Sequence, residues 1–186
     1  MSSAGQTLQQ RVAAAILDGA ARTLAIQGPA ASMNDVAAAA GVARATVYRY
    51  FPNRQALLDE LALAALREIE ERIRSARLAE VPTDEAIARV VRTLVDVGDL
   101  FTVLARERSR PAEFESTLAA PLAQVFERAQ AGGDIRDDLD ASWLTEALVG
   151  VAVSVLTAKP SRGREDTVAA ITSLFVDGAR SRGLGP

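Results

Sequence analysis

The chain of 186 residues contains no cysteine and no histidine. Without cysteine there are no disulfides and no thiolate metal ligands, and nothing implies an oxidising compartment. Without histidine, Ser-His-Asp and Cys-His catalysis are impossible and the commonest zinc ligand is missing. No metal or catalytic constellation appears elsewhere in the chain, so no cofactor, no metal and no enzyme activity is expected. Aromatic residues are scarce, at 4%, while 49% of the chain is hydrophobic with alanine and leucine prominent. That balance favours packed helices over sheet. The N-terminus carries no basic-then-apolar leader, and no uninterrupted apolar run has membrane length. The expected compartment is the cytoplasm, with no membrane partner.

Charge is unevenly spread. The net charge is −3, which alone argues against a nucleic-acid partner. Residues 1–58, however, hold five arginines (Arg11, Arg22, Arg44, Arg49 and Arg54) against Asp18 and Asp35, a net +3, and the remainder carries −6. A basic head on an acidic body is expected where one end alone meets phosphate.

That head contains the most informative stretch, Ser32 to Phe51. Ser32 is suited to cap a short helix, with Asp35 three residues on as a capping-box partner. Val36, Ala37 and Ala40 then share a helical face, and Gly41 supplies the positive φ of a sharp turn. Val42, Val47 and Phe51 are spaced to pack inward, leaving Arg44, Ala45, Thr46, Arg49 and Tyr50 on other faces. Tyr48 is placed near the inward face and Tyr50 further out. This reads as a helix-turn-helix whose second helix faces a DNA major groove. Arg44, at its start, can donate bidentately to guanine O6 and N7. Thr46 offers a methyl or a hydroxyl, Tyr48 a hydroxyl within reach of phosphate, and Arg49 a contact to base or phosphate. The helix N-termini at Ser32 and Arg54 present open amides to phosphate. A single recognition helix reads few base pairs, so the natural target is a palindromic double-stranded operator bound by a homodimer.

Gly28, Ser32, Val36, Ala37, Ala40, Gly41, Val42, Thr46, Val47, Tyr48, Phe51, Arg54 and Leu57 together resemble the N-terminal domain of the TetR family of bacterial repressors. The resemblance spans roughly residues 10 to 60. One departure is Ala43, where the family often has a serine that caps the recognition helix. The resemblance implies that Asn34 also sees a base and that Arg54 clamps a phosphate. It further implies a C-terminal domain that binds a small-molecule effector among its central helices. Leu94, Phe101, Leu104, Phe114, Leu118, Phe126 and Trp143 are the candidates for that site. Arg106, Arg108 and Arg110 form a basic run that is either solvated or holds an anionic ligand.

Periodicity and breakers divide the rest of the chain into helices. The first is expected over residues 8–27, after a loose arm at 1–7. One from Arg54 to Arg77 presents Leu57, Leu61, Ala65, Ile69 and Ile73 as an apolar stripe, with Glu68 and Arg72 paired outside. A helix from Asp84 to about Val97, capped by Thr83, pairs Glu85 with Arg89 and Arg92 with Asp96. A short helix runs to about Ser109, and another from Pro111 to about Ala131 should be kinked by Pro121. Asp140 is a good cap for a helix to about Ala158, and a last helix covers about 164–182. These last two helices are apolar over more than one stripe, wider than an outer helix needs. Leu148, Val151, Ala152 and Val155 on one, with Ile171, Leu174, Phe175 and Gly178 on the other, are the expected dimer interface, a four-helix bundle across two subunits.

The expected fold is all-α. A three-helix DNA-binding helix-turn-helix domain occupies residues 1–53, and a helical ligand-binding and dimerisation domain residues 54–186. The expected function is a ligand-responsive transcriptional repressor whose operator is released by a mainly apolar molecule. Two alternatives stand beside it: an enzyme or sequestering protein on the same scaffold, and a DNA-binding protein that needs no effector.

Overall fold

A computed structural model describes residues 3–107, 111–158 and 163–181. Among them the regular structure is helical, without a strand. The helices are α1 (Ser3–Gln27), α2 (Met33–Ala40), α3 (Arg44–Tyr50), α4 (Arg54–Ala76), α5 (Thr83–Val97), α6 (Asp99–Glu107), α7 (Pro111–Phe114), α8 (Ala120–Ala131), α9 (Ala141–Thr157) and α10 (Arg164–Ala179). The first helix begins at Ser3 instead of Leu8, so residues 3–7 are helix and not arm.

Two compact units result: residues 1–65 with 99–109, and residues 66–98 with 110–186. This differs from the expected division after residue 53 in two respects. Leu57, Leu58 and Leu61 of α4 are buried in the head core with Ile16, Ala20, Leu24, Val36, Val47 and Phe51. Val103 of α6 joins the same core, so a segment distant in sequence completes the head. Each fully buried aliphatic side chain is worth about 1.5–3 kcal/mol, which is why the first turns of α4 belong to the head's packing.

Within the head, α1 and α2 meet at Gly19. A Cβ added there would lie 2.8 Å from the Ala40 backbone nitrogen and 3.1 Å from its Cα. Gly19 is thus a packing glycine, tolerated in mid-helix because backbone occupies the place of a side chain. Arg22, one turn on, donates to the Ala39 carbonyl at 3.4 Å, a cation at the negative end of α2.

In the second unit α5 packs against α10 and α8, and α8 against α9. The break before α5 falls at Pro82, which takes the cap position that Thr83 was expected to hold. Glu85 and Arg89 pair at 2.8 Å as their spacing suggests. The expected Arg92–Asp96 pair does not form. Asp96, with only 8% of its side chain exposed, is held by Arg72 of α4 at 2.7 Å and by Arg164 of α10. Arg92 turns instead to Glu165 at 3.0 Å. A nearly buried carboxylate requires strong partners, and two guanidiniums from other helices satisfy it better than one neighbour on its own helix. The disturbance expected at Pro121 takes the form of a π-turn over Glu115–Ala119, between α7 and α8. The wider turn makes room for a proline ring that clashes with an ordinary α-turn. Asp140 caps α9 as expected, accepting from the Trp143 amide at 2.7 Å and the Ser142 hydroxyl at 2.6 Å.

The Gly19 contact gives a test whose sign departs from propensity. In an unconstrained helix interior Gly→Ala stabilises by about 1 kcal/mol. Here Gly19→Ala is expected to destabilise the head by roughly 1–3 kcal/mol, because the methyl meets backbone. Thermal unfolding followed by circular dichroism checks this, and a raised midpoint would refute the close approach.

Candidate nucleic-acid interface

The site is assembled by caps and turns before any side chain is considered. Ser32 and Asp35 form a reciprocal capping box. The Asp35 amide donates to Ser32 Oγ at 3.2 Å, and the Ser32 amide donates to Asp35 Oδ2 at 2.9 Å. The Ser32 hydroxyl also donates to that carboxylate, at 2.6 Å. These bonds, the hydroxyl first, hold the Asp35 carboxyl below its ordinary pKa. The acid within the motif is thus employed in starting α2. At the other end of α2, Gly41 has φ 67° and ψ 29°. Its amide donates to Ala38 O at 3.2 Å and the Val42 amide to Ala37 O at 3.1 Å, a Schellman closure that reverses the chain in two residues.

Helix α3 starts at Arg44 with Ala43 in the cap position and no side-chain cap, the consequence of having alanine there. The Ala43 carbonyl accepts from the Thr46 amide at 2.8 Å. What holds α3 is packing: Val47 and Phe51 are buried in the head core, and Val42 rests against it. Asn53 Oδ1 accepts from the Ala56 amide at 2.8 Å, making Asn53 the cap that starts α4. Sequence reading missed Asn53, although an asparagine immediately before a helical stripe is a cap signal.

With the inward face fixed, the outward face follows. Ser32, Asn34, Arg44, Ala45, Tyr48 and Arg49 are exposed, and Thr46, Tyr50 and Arg54 are half-buried. The Arg44 guanidinium lies over the Tyr48 ring, 5.2 Å from its centre, and Nη2 donates to the Tyr48 hydroxyl at 3.4 Å. Arg49 lies over the Tyr50 ring at 5.3 Å. The two tyrosines exchange the places expected from sequence. Tyr48 is 37% exposed, whereas Tyr50 packs against the head core. Helical geometry accounts for the exchange, since Tyr50 lies about 60° from buried Val47 around the helix and Tyr48 about 100°. The result is a basic and aromatic surface on a short, firmly seated helix. It offers guanidinium forks, a hydroxyl and the small Ala45, which lets a groove floor come close.

The other expected sites are distributed differently. Leu94, Leu118 and Phe126 are buried in the second unit, while Phe101 and Leu104 are buried on α6, which belongs to the first. Phe114 is half-buried, and Trp143 is 52% exposed. Two surface grooves are present in the second unit. One, of about 580 Å³, lies on α5 and α10 between Asp84, Arg92, Glu165 and Arg180. The other, of about 210 Å³, lies between the end of α4 and α8. None of the seven expected ligand residues lines either groove. The side chain of Arg106, and Arg108 and Arg110 entirely, lie outside the described residues. Among the expected interface residues, Leu148, Ala152 and Ile171 are buried within the protomer's own core. Two apolar stripes on one helix cannot both face a partner when one is needed to hold the unit together. Val151, Val155 and Phe175 retain partial exposure, and Leu174 and Gly178 are exposed. Phe175 also packs on Phe126, with ring centres 5.6 Å apart.

Among the described residues no grouping of three or more acidic residues could hold a metal, and no helix is long and apolar enough to cross a membrane.

Comparison with known proteins gives a consistent picture. Residues 16–61 match the model of bacterial regulatory proteins of the tetR family. The transcriptional repressor LfrR of Mycolicibacterium smegmatis is 39% identical over 107 residues, covering 58% of this chain and 56% of the repressor. A helix-turn-helix-type regulator of Mycobacterium tuberculosis is 37% identical over 87 residues, 45% of this chain and 43% of its own. The chain thus spans about half the length of the curated relatives it matches. Among solved structures, LfrR from Mycobacterium smegmatis in complex with proflavine is 31% identical. That match covers 92% of this chain and 97% of the other, with a TM-score of 0.74. AibR in complex with isovaleryl coenzyme A and operator DNA shares the fold at 19% identity and TM-score 0.69, covering 88% and 97% of the two chains.

The geometry predicts two distinguishable losses. Arg44→Ala should relax discrimination at one base pair of a bound duplex, by roughly 1–3 kcal/mol. Arg54→Ala, at the start of α4, should weaken binding to all duplexes alike and reduce the salt slope by about 1. Fluorescence anisotropy with single-base-pair variants at several salt concentrations separates them. Both variants binding like wild type would remove these residues from the interface.

Proposed function

We propose that this chain, which belongs to the TetR family of bacterial regulatory proteins, is a cytoplasmic transcriptional repressor that binds a palindromic operator as a homodimer and releases it when a mainly apolar small molecule binds. The observation that carries the reading is α3: a helix seated on the core by Val47 and presenting Arg44, Ala45, Tyr48 and Arg49 outward, within an N-terminal stretch of net positive charge on an acidic chain. The body has no histidine or cysteine, so thiolate and imidazole chemistry are not available to it.

Support for the assembly is the apolar surface left open by Val151, Val155, Leu174 and Phe175. Two heads about 34–36 Å apart read one palindrome together, so affinity follows from holding that distance. An inducing ligand must prefer the arrangement that misaligns the heads, since equal affinity for both states shifts nothing. A hundredfold release requires about 2.7 kcal/mol of coupling, within the ordinary allosteric range. Support for an effector is the likeness to LfrR, which has been solved with proflavine bound.

A second reading is favoured by one observation. Leu94, Phe101, Leu104, Leu118 and Phe126 have essentially no accessible surface, the condition of a filled core and not of an open site. A repressor or activator that binds DNA without an effector would have such a body. Mobility shift on the DNA upstream of the protein's own gene, titrated with a panel of apolar ligands, separates the two. Release by a ligand supports the inducible reading, and retention with every ligand supports the second. No shift at all would refute both.

The assembly has its own test. Leu174 is 66% exposed in the protomer, so an aspartate there costs the single chain little. In a subunit interface the same charge, buried without a partner, costs several kcal/mol. Leu174→Asp is expected to give folded monomers by light scattering, with operator affinity lost. A dimer of unchanged stability would take α10 out of the interface.

A further inference from the structure

We propose that Tyr48 sets the base selectivity of Arg44, acting as a positioning residue that joins a phosphate contact to a guanine contact. The inference rests on α3 being the DNA-reading helix. Arg44 and Tyr48 stand one turn apart on the exposed side of α3. The guanidinium sits over the ring, 5.2 Å from its centre, and Nη2 donates to the hydroxyl oxygen at 3.4 Å.

Three consequences follow from that geometry. The guanidinium rests beside the ring and gives one N–H to its hydroxyl, so the remaining in-plane N–H groups stay available as a fork. That fork fits O6 and N7 of guanine in the major groove. A free arginine loses side-chain freedom when it docks, and one already laid on a ring has less left to lose. Finally, the Tyr48 oxygen accepts from Arg44 while its own O–H remains to be donated. A backbone phosphate oxygen beside the groove is the acceptor that the helix's position offers. Tyr48 then links phosphate to Arg44 and Arg44 to guanine, and the base is read best when the phosphate is in register. The second arginine–tyrosine pair differs, because Tyr50 packs against the head core and Arg49 rests on a ring turned inward.

The experiment selects duplexes from a random library with the wild-type protein. Affinities are then measured for the selected site and for each single-base-pair change in it. The proteins compared are wild type, Arg44→Ala, Tyr48→Phe, Tyr48→Ala and the double variant Arg44→Ala/Tyr48→Ala. Arg44→Ala is expected to lose discrimination at one G·C pair by roughly 5- to 150-fold. Tyr48→Ala should lower discrimination at that same pair by about tenfold, and Tyr48→Phe, which keeps the ring, by less. In the absence of Arg44, removing Tyr48 should leave discrimination at that pair unchanged while still lowering affinity for every duplex. A merely structural Tyr48 would weaken all duplexes equally in both backgrounds, and that result overturns the proposal. A second readout needs no DNA. The Arg44 Nε–H resonance should carry a ring-current shift in wild type and Tyr48→Phe and lose it in Tyr48→Ala. An unshifted wild-type resonance also overturns the proposal. Failure of the wild type to enrich any duplex refutes the DNA-reading role of α3 itself, and with the ring-current shift intact that failure is distinguishable from loss of the pairing.

Discussion

The approach of Ala40 to Gly19 is the constraint on which the head depends. A helix crossing at ordinary side-chain distance would lift α2 off α1 and open the core beneath it. Because Gly19 has no side chain, the Ala40 backbone settles where a Cβ would stand. Val36 and Ala37 of α2 are then buried with Ile16 and Ala20 of α1. The end of α2 is thereby fixed, Gly41 reverses the chain, and Val47 and Phe51 enter the same core. The outward direction of Arg44 and Tyr48 is a consequence of these inward choices. Cap loss at Ala43 is tolerated because α3 is held by burial and not by its first turn.

The second unit is organised around a different kind of contact. Asp96 gathers Arg72 and Arg164, and Arg72 also holds Glu68 at 2.8 Å. Parts of α4, α5 and α10 are tied by one nearly buried carboxylate. Such a pair adds less net stability than its geometry suggests, since desolvation opposes it, but it penalises any arrangement in which the carboxylate loses its partners. Around this network the apolar residues of α9 and α10 divide. Leu148, Ala152 and Ile171 serve the protomer, and Leu174 and Gly178 remain outside.

What sequence reading could see was local. The capping box of Ser32 and Asp35, the left-handed Gly41, the inward Val47 and Phe51 and the Asp140 cap all depend on residues within four positions of one another, and all are present. The all-helical architecture and the helix-turn-helix followed from the same kind of signal. What depended on distant residues was hidden. The spacing of Arg92 and Asp96 suggested a pair, but burial of Asp96 recruited arginines from α4 and α10. Gly19 carries no local sign of its role, because the Ala40 backbone it meets belongs to another helix. Val103 and the start of α4 joined the head core across a division drawn from breakers alone. The exchange of Tyr48 and Tyr50 is different in kind. It was readable from the angle each makes with Val47, and a helical wheel centred on that residue would have placed both.

The central claim is that the outward face of α3 meets base edges. Photocrosslinking tests it most directly, with a bound duplex carrying 5-bromodeoxyuridine at successive positions and mass spectrometry to locate the attached peptide. The account predicts crosslinks within residues 44–50, concentrated at Tyr48, from substitutions in the major groove of each half-site. Crosslinks confined to the second unit, or spread over the protein without preference for α3, would contradict it.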